Sequence, residues 1–153
     1  MVGGLVRMAQ YPGQKIQKIW VGLKKNTINN VVVMGSKTWT DPLMPWPLPN
    51  RVNVLATTRE KEFPGADKYI CGDLNKKLKN LKKEYDNKTI WVIGGPNIIE
   101  QTIESIEEFY LSRIPGKYNC DGFLSLDNIE TLFTKTWFEK HDSVEFQIWK
   151  KNK

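Results

Sequence analysis

The sequence has few of the residues from which several kinds of active site are built. Its two cysteines, Cys71 and Cys120, lie far apart and form no CxxC pair, so buried or idle thiols in a reducing compartment are expected and a disulfide framework is not. His141 is the only histidine, which excludes a metal site with several histidine ligands. The GxxxxGKS/T, HExxH and GxSxG motifs are absent, and no GxGxxG follows a strand. No metal site is therefore predicted, and His141 is expected at the surface.

Long hydrophobic runs are also lacking. No apolar run approaches the length that crosses a bilayer, and the N-terminal residues do not have the layout of a secretory signal. The 153 residues are 40% hydrophobic and 26% charged, which is typical of a globular protein with an ordinary core. We expect a single domain over residues 1–153, a cytoplasmic location and no contact with a membrane.

Acidic residues are missing from the first forty positions, because Asp41 is the first acid in the chain. The whole net charge of +6 lies in this segment, which carries six basic side chains. They are Arg7, Lys15, Lys18, Lys24, Lys25 and Lys37. Such a block suits a phosphate-bearing ligand, a nucleic acid or an acidic protein partner, and the alternative is a solvated lysine face on a helix.

The order of hydrophobic patterns predicts an α/β fold. Continuous apolar runs typical of buried strands alternate with segments of helical spacing, and two alternating runs close the chain. This order predicts a mostly parallel sheet with an antiparallel C-terminal pair, flanked by helices. Strands are predicted at 29–35, 51–58, 68–71, 89–93, 107–114, 135–141 and 144–150, and helices at 13–25, from 36, at 73–85 and from 96.

Three of the predicted strands end in glycine or hydroxyl residues. In an open α/β sheet, ligands bind beyond the carboxyl ends of the strands, and glycine there lets a ligand approach the backbone. A following helix offers N–H groups and a positive dipole end to a phosphate. Plain turn geometry is the alternative at each place, but three such ends favour an extended phosphorylated cofactor. The ends are Gly35 to Thr38, Thr57 to Arg59, and Gly94 to Asn97.

These segments, taken together and in order, resemble dihydrofolate reductase. The resemblance rests on "VVVMGSKTW", "PLPNRVNV", "TTR", "WVIGGPNIIEQ" and "FYLSRI", and it extends from "LKKNT" at Leu23 to about Asp121, with a looser match at "VEFQIWK". It implies an enzyme with a central eight-stranded sheet that uses NADPH to reduce dihydrofolate to tetrahydrofolate. The implied partners are small molecules, and a nucleic acid is not expected among them.

The resemblance also implies a cofactor site at the three strand ends. Gly35 to Thr38 would lie against the pyrophosphate, Thr57 to Arg59 would hold the 2′-phosphate side, and Gly94 and Gly95 would lie against the nicotinamide. The implied cofactor-binding residues are Gly35, Ser36, Lys37, Thr38, Thr57, Thr58, Arg59, Gly94, Gly95, Pro96, Asn97 and Ile98.

A substrate site follows from the same resemblance. Arg51 would clamp the α-carboxylate of the glutamate tail of a folate, a bidentate task that suits a guanidinium. Leu23, Leu48 and Ile93 would line the pterin and aminobenzoyl pocket, although each would serve equally well in a core. Ser112 stands where the family has a threonine that bonds to the pterin-binding acid.

The catalytic position departs from the family pattern. Ile19 occupies the place of the acid that orients the pterin and favours its protonation, and no realignment supplies a carboxylate before Asp41. Two accounts stay open. One is a shortened reductase in which "GLVRMAQ" forms the first strand. The other is a reductase-like fold that serves as a nucleotide-binding or assembly module, with the basic N-terminal segment meeting a protein partner.

Overall fold

A computed structural model of the protein describes residues 2–7, 27–40, 47–94, 96–113, 130–141 and 144–152. Its strands are β1 (Val2–Arg7), β2 (Val31–Gly35), β3 (Val52–Ala56), β4 (Lys68–Ile70), β5 (Ile90–Gly94), β6 (Glu108–Arg113), β7 (Phe133–His141) and β8 (Val144–Lys151). Its helices are α1 (Ser36–Trp39), α2 (Leu74–Glu84) and α3 (Pro96–Thr102), and 3₁₀ turns cover Glu60–Glu62 and Ile103–Ser105. The predicted elements that fall within these ranges are present, and most of their ends differ by one or two residues.

The described strands form one eight-stranded sheet in the order β4-β3-β2-β5-β1-β6-β8-β7. The six strands from β4 to β6 in this order run parallel to one another. Strand β8 pairs antiparallel with β6, and β7 pairs antiparallel with β8. The predicted α/β class, with a mostly parallel sheet and an antiparallel C-terminal pair, is confirmed.

The first strand lies at the centre of the sheet, between β5 and β6. The expected strand "GLVRMAQ" begins too late, because Val2 and Gly3 already pair with Ile90 and Trp91 of β5. The two neighbouring strands extend that far, so the ladder continues over residues that the sequence pattern leaves out. Residues 8–26, which include the predicted helix, Ile19 and Leu23, lie outside the described residues.

Burial follows the two faces of the sheet. Strand β2 is buried along its whole length, as a continuous β-branched run predicts for a central parallel strand. One face packs under α2, whose Leu74, Leu78 and Leu81 are buried as their spacing predicts. The opposite face carries Met34, Leu55 and other apolar side chains in a second buried cluster, which we call the second core.

The ends of two predicted strands are corrected by the structure. The strand predicted at 51–58 includes Thr57 and Thr58, but β3 ends at Ala56. The hydroxyl of Thr57 accepts a hydrogen bond from the Arg59 N–H at 3.0 Å, and this local bond turns the chain away from the sheet. Cys71 likewise follows β4 instead of belonging to it, and its side chain is exposed. In the described part of the chain, no helix is long and apolar enough to cross a membrane.

Candidate functional site

The carboxyl ends of β3, β2 and β5 are next to one another in the sheet. Gly35 at the end of β2 pairs with Ala56 at the end of β3 on one side. On the other side, Met34 pairs with Gly94 at the end of β5. The structure therefore brings the three predicted turns to a single edge of the sheet, which we call the glycine edge.

The middle turn of the glycine edge leads from β2 into α1. Gly35 is extended at the N-cap of this helix, and no side chain in the described part of the chain caps it. The first turn of α1 contains no acid, and Lys37 in the same turn is exposed. Ser36 and Thr38 are half-buried beside it. With an exposed lysine and no carboxylate in this turn, a bound anion would meet attraction and no charge repulsion from it.

The turn after β3 carries an exposed cation, Arg59. The guanidinium of Arg59 lies 5.4 Å from the ring centroid of Phe63 and 3.1 Å from a Glu62 oxygen, and its side chain is 59% exposed. An exposed ion pair of this kind contributes little to stability, about 0–1 kcal/mol. Thr58 next to it is exposed as well. Exchange of the Glu62 carboxylate for a phosphate would therefore cost the fold little.

The turn after β5 departs from regular pairing. Val33 pairs with Val92, while the next residue of β2, Met34, pairs with Gly94, so that Ile93 has no opposite residue on β2. A bulge of this type bends the strand and changes the direction of its last residues. Pro96 begins α3 at its first position, as predicted, with Asn97 exposed and Ile98 half-buried. Gly95 lies outside the described residues.

A second part of the site lies at the opposite end of β3, in the loop that precedes it. Asn53 is 2% exposed, and its side chain makes three hydrogen bonds to the backbone of this loop. Its Oδ1 accepts from the Leu48 N–H at 2.9 Å, and its Nδ2 donates to the carbonyls of Leu48 at 2.9 Å and Arg51 at 3.1 Å. Asn50 has a left-handed φ of 59°, and its carbonyl accepts from the Asn29 N–H at 2.9 Å. The loop is thus tied down at several points.

Arg51 ends this loop, and its guanidinium has neither an ion pair nor an Nε hydrogen bond among the described residues. The side chain is half-buried, and its buried Nε has no hydrogen-bond partner among the residues that the structure describes. Burial lowers the pKa of Arg51 below its ordinary value. None of the ion pairs found among the described side chains involves it. A buried polar nitrogen without a partner is uncommon in a protein and is what an oxyanion ligand would satisfy.

Apolar side chains connect the loop with the glycine edge. Leu48 and Ile93, both predicted to line the substrate pocket, are each 7% exposed and belong to the second core. Ser112 pairs with Arg7 of β1 and with Phe146 of β8, and only its backbone is described. The structure therefore places Leu48 and Ile93 in one buried cluster and Arg51 at the end of the loop that carries Leu48, while Leu23 and the Ile19 position fall outside the described residues.

A polar pair beside the second core was not predicted from the sequence. The Tyr110 hydroxyl donates to a Glu108 oxygen at 3.3 Å, and its ring meets Trp91 edge-on with centroids 5.0 Å apart. Burial raises the pKa of the Tyr110 phenol, and the Glu108 charge raises it further. The indole nitrogen of Trp91 is buried and has no hydrogen-bond partner in the described ranges of the chain. The available signal was a tryptophan in the otherwise aliphatic β5 and a tyrosine two residues after an acid in β6.

Asn53 is the other residue that pattern reasoning missed. The run "RVNVLATT" was interpreted as a buried strand, and a polar amide within it received no role. A buried amide must find hydrogen-bond partners, and here all of its side-chain bonds go to the loop that holds Leu48 and Arg51. The signal was therefore present in the sequence as a single polar residue between two valines.

Comparison with known proteins agrees with this architecture. The family model for dihydrofolate reductase matches residues 16–151. The dihydrofolate reductase of Drosophila melanogaster is 34% identical over 101 residues, which cover 63% of this chain and 56% of that protein. The viral dihydrofolate reductase of Saimiriine herpesvirus 2 is 28% identical over 137 residues, which cover 80% of this chain and 64% of that protein.

A third relative gives the same result. The dihydrofolate reductase of Pneumocystis carinii is 29% identical over 126 residues, covering 76% of this chain and 61% of that protein. The chain therefore spans less than two thirds of the length of each of these relatives. The family model nevertheless matches almost the whole chain downstream of residue 15, through every described strand except β1. On this ground the chain belongs to the dihydrofolate reductase family.

Proposed function

We propose that the protein reduces dihydrofolate to tetrahydrofolate with NADPH. The observation that carries the proposal is Arg51, a half-buried guanidinium whose buried Nε has no hydrogen-bond partner within the described part of the chain, and which ends the loop that holds Leu48 of the second core. A folate has complementary chemistry, since the faces of its flat pterin and aminobenzoyl rings suit apolar contacts and its glutamate tail is anionic. Family membership supplies the reaction class.

The glycine edge fits NADPH in its charge and its backbone. Gly35 ends β2 and Gly94 ends β5, and these two strands are paired in the sheet. Two glycine turns therefore lie side by side where a ligand would approach the sheet. Ser36 to Thr38 would meet the pyrophosphate, and Thr57 to Arg59 would hold the 2′-phosphate. Asn97 and Ile98 would flank the nicotinamide side with Gly95 and Pro96. NADPH, when bound, supplies the hydride for the reduction.

The apolar side chains and Arg51 would orient the folate. Leu48 and Ile93, each 7% exposed in the second core, would meet the folate rings at the edge of this cluster, and Leu23 and Ser112 would complete the proposed substrate contacts. The guanidinium would take the α-carboxylate in a bidentate pair. Holding the two reactants at the right distance supplies a large part of the rate in reactions of this type.

The proton is the weak point of the site. The family's acid position is Ile19 here, and the chain contains no carboxylate before Asp41. Proton transfer groups contribute about 10²–10⁴-fold to a rate. We therefore expect turnover to be lower by this factor than in a reductase that has the acid, with water as the proton donor. The same observation favours a second function, in which the fold binds nucleotide or assembles with a partner and does not catalyse.

Two measurements on the purified chain separate these functions. NADPH consumption is followed by its near-ultraviolet absorbance with dihydrofolate present, with and without methotrexate. NADPH binding is followed in parallel by tryptophan fluorescence. Methotrexate-sensitive consumption supports the reductase, whereas binding without consumption supports the nucleotide-binding module. Failure to bind NADPH or a folate ligand would refute the reductase and the nucleotide-binding module. Assembly with a protein partner would then be the remaining function.

A further inference from the structure

Asn53 is an isolated buried amide in the apolar strand β3. It is 2% exposed, and its neighbours Val54 and Leu55 are fully buried. Burying an amide without hydrogen bonds costs about 1–3 kcal/mol, so this side chain stays only where it is satisfied. The backbone of the preceding loop supplies all of the partners of its side chain.

Asn53 is itself held firmly from the other side. Its backbone N–H donates to the Asp67 carboxylate at 2.7 Å, and the Asp67 N–H donates to the Asn53 carbonyl at 2.9 Å. This reciprocal pair continues the ladder between β3 and β4, in which Val54 pairs with Lys68. The backbone is therefore fixed to the sheet, while the side chain reaches out to the loop.

The three bonds of the side chain end on the two residues of the loop that the proposed function uses. Leu48 is bonded through both its N–H and its carbonyl, and Arg51 is bonded through its carbonyl. Between them lies Asn50, whose left-handed φ of 59° is held by the bond from Asn29. The Asn53 amide therefore fixes the backbone at Leu48 and at Arg51, and with it the places from which these two side chains start.

We infer that Asn53 is a positioning residue that fixes the Arg51 guanidinium for a ligand carboxylate. The inference rests on the proposed function and deepens it, because it assigns selectivity for anionic ligand tails to a residue that touches no ligand. Asparagine alone combines an acceptor for Leu48 N–H with donors for two carbonyls at this size. Aspartate keeps the acceptor and loses both donations, so it is a near-isosteric test of the role.

The first test compares two ligands that differ in the tail. Affinities are measured for methotrexate and for a diaminopteridine without the benzoylglutamate, and their ratio reports the tail contact. In Asn53→Ala and Asn53→Asp we expect the ratio to fall about tenfold, as for one weakened hydrogen bond to a charged group. In an Arg51→Met background the same substitutions should leave the ratio unchanged. Val54→Ala, which opens a cavity on the opposite face, is the control for lost stability.

The result that overturns the inference is equally specific. If Asn53→Ala weakens both ligands by the same factor, as Val54→Ala would through instability, the residue is merely structural. If the ratio falls further in the Arg51→Met background, the two residues act independently and no positioning exists.

A second test uses the protein without any ligand. Hydrogen exchange of the Leu48 amide and modification of Arg51 by phenylglyoxal are compared between the wild type and Asn53→Ala, which removes the acceptor for the Leu48 N–H as well as both donors. Both rates should rise about tenfold or more, because a hydrogen bond and a fixed loop are lost. Unchanged rates would refute the positioning role. If the wild type binds neither ligand while these rates rise, the proposed function fails and the loop-fixing role stands.

Discussion

Arg51→Met separates the binding role of this residue from any role in folding. At neutral pH the guanidinium is charged in both the folded and the unfolded chain. Its pKa is lowered by burial, so the folded state carries a desolvation cost, and removing the charge relieves that cost. A group with a depressed pKa stabilises the fold only above its unfolded pKa, far beyond the neutral range. Methionine keeps the apolar stem that packs in the loop.

The magnitudes follow from the exposure of the side chain. Arg51 is half-buried, so solvent screens part of the desolvation cost, and we expect a gain in stability of less than about 1 kcal/mol. The loss in binding is larger, because a charge-assisted hydrogen bond contributes about 1.5–3 kcal/mol. The affinity for methotrexate should therefore fall about 10- to 100-fold. The affinity for the diaminopteridine without a tail should stay the same.

Tryptophan fluorescence titration and thermal unfolding together provide the assay. Arg59→Met is the matched control, since it removes an exposed guanidinium at the glycine edge and should leave methotrexate binding unchanged. The reasoning is refuted if Arg51→Met lowers the midpoint of unfolding by several degrees and weakens both ligands alike. Arg51 would then be part of the fold and not a free clamp for a carboxylate.

Three further predictions concern the cofactor, the acid and alkaline pH. Arg59→Met should reduce the preference for NADPH over NADH about tenfold, measured as the ratio of their dissociation constants, and an unchanged ratio would remove Arg59 from the 2′-phosphate site. Ile19→Asp should raise kcat for dihydrofolate about 10²–10⁴-fold, and no gain would mean that the acid is not what limits turnover. Burial, and then the Glu108 charge, raise the pKa of Tyr110 in the folded state above its unfolded value. The neutral phenol therefore stabilises the fold below about pH 10, and this stability is lost as pH rises through the folded pKa. The unfolding free energy of Tyr110→Phe should therefore fall less steeply above that pH than that of the wild type, and parallel curves would contradict the burial of the phenol.

The parts of the fold that were predictable depend on local patterns. The β-branched run of β2 is buried on both faces, and the leucine spacing of α2 places three leucines in the core. The glycine and hydroxyl residues at the strand ends also indicated a single edge, because parallel strands place their carboxyl ends together. Each of these features is encoded within about ten residues of sequence.

The remaining features depend on partners that are distant in the chain. Val2 and Gly3 belong to β1 only because β5 provides a partner for each of them and β6 provides one for Gly3, and no hydrophobic pattern marks them. The role of Asn53 depends on a loop that turns back onto β3, and the lack of a partner for the Arg51 Nε depends on what surrounds it in three dimensions. The bulge at Ile93 likewise arises from the register between β2 and β5.

Isotope transfer tests the central proposal most directly. The protein is incubated with dihydrofolate and NADPH that carries deuterium at the reactive carbon of the nicotinamide, and the folate product is analysed by mass spectrometry. The account predicts tetrahydrofolate with one deuterium at C6, and no label in the presence of methotrexate. Oxidation of the cofactor without label in the folate, or no labelled product with Ile19→Asp as well, would contradict hydride transfer between these two molecules on this protein.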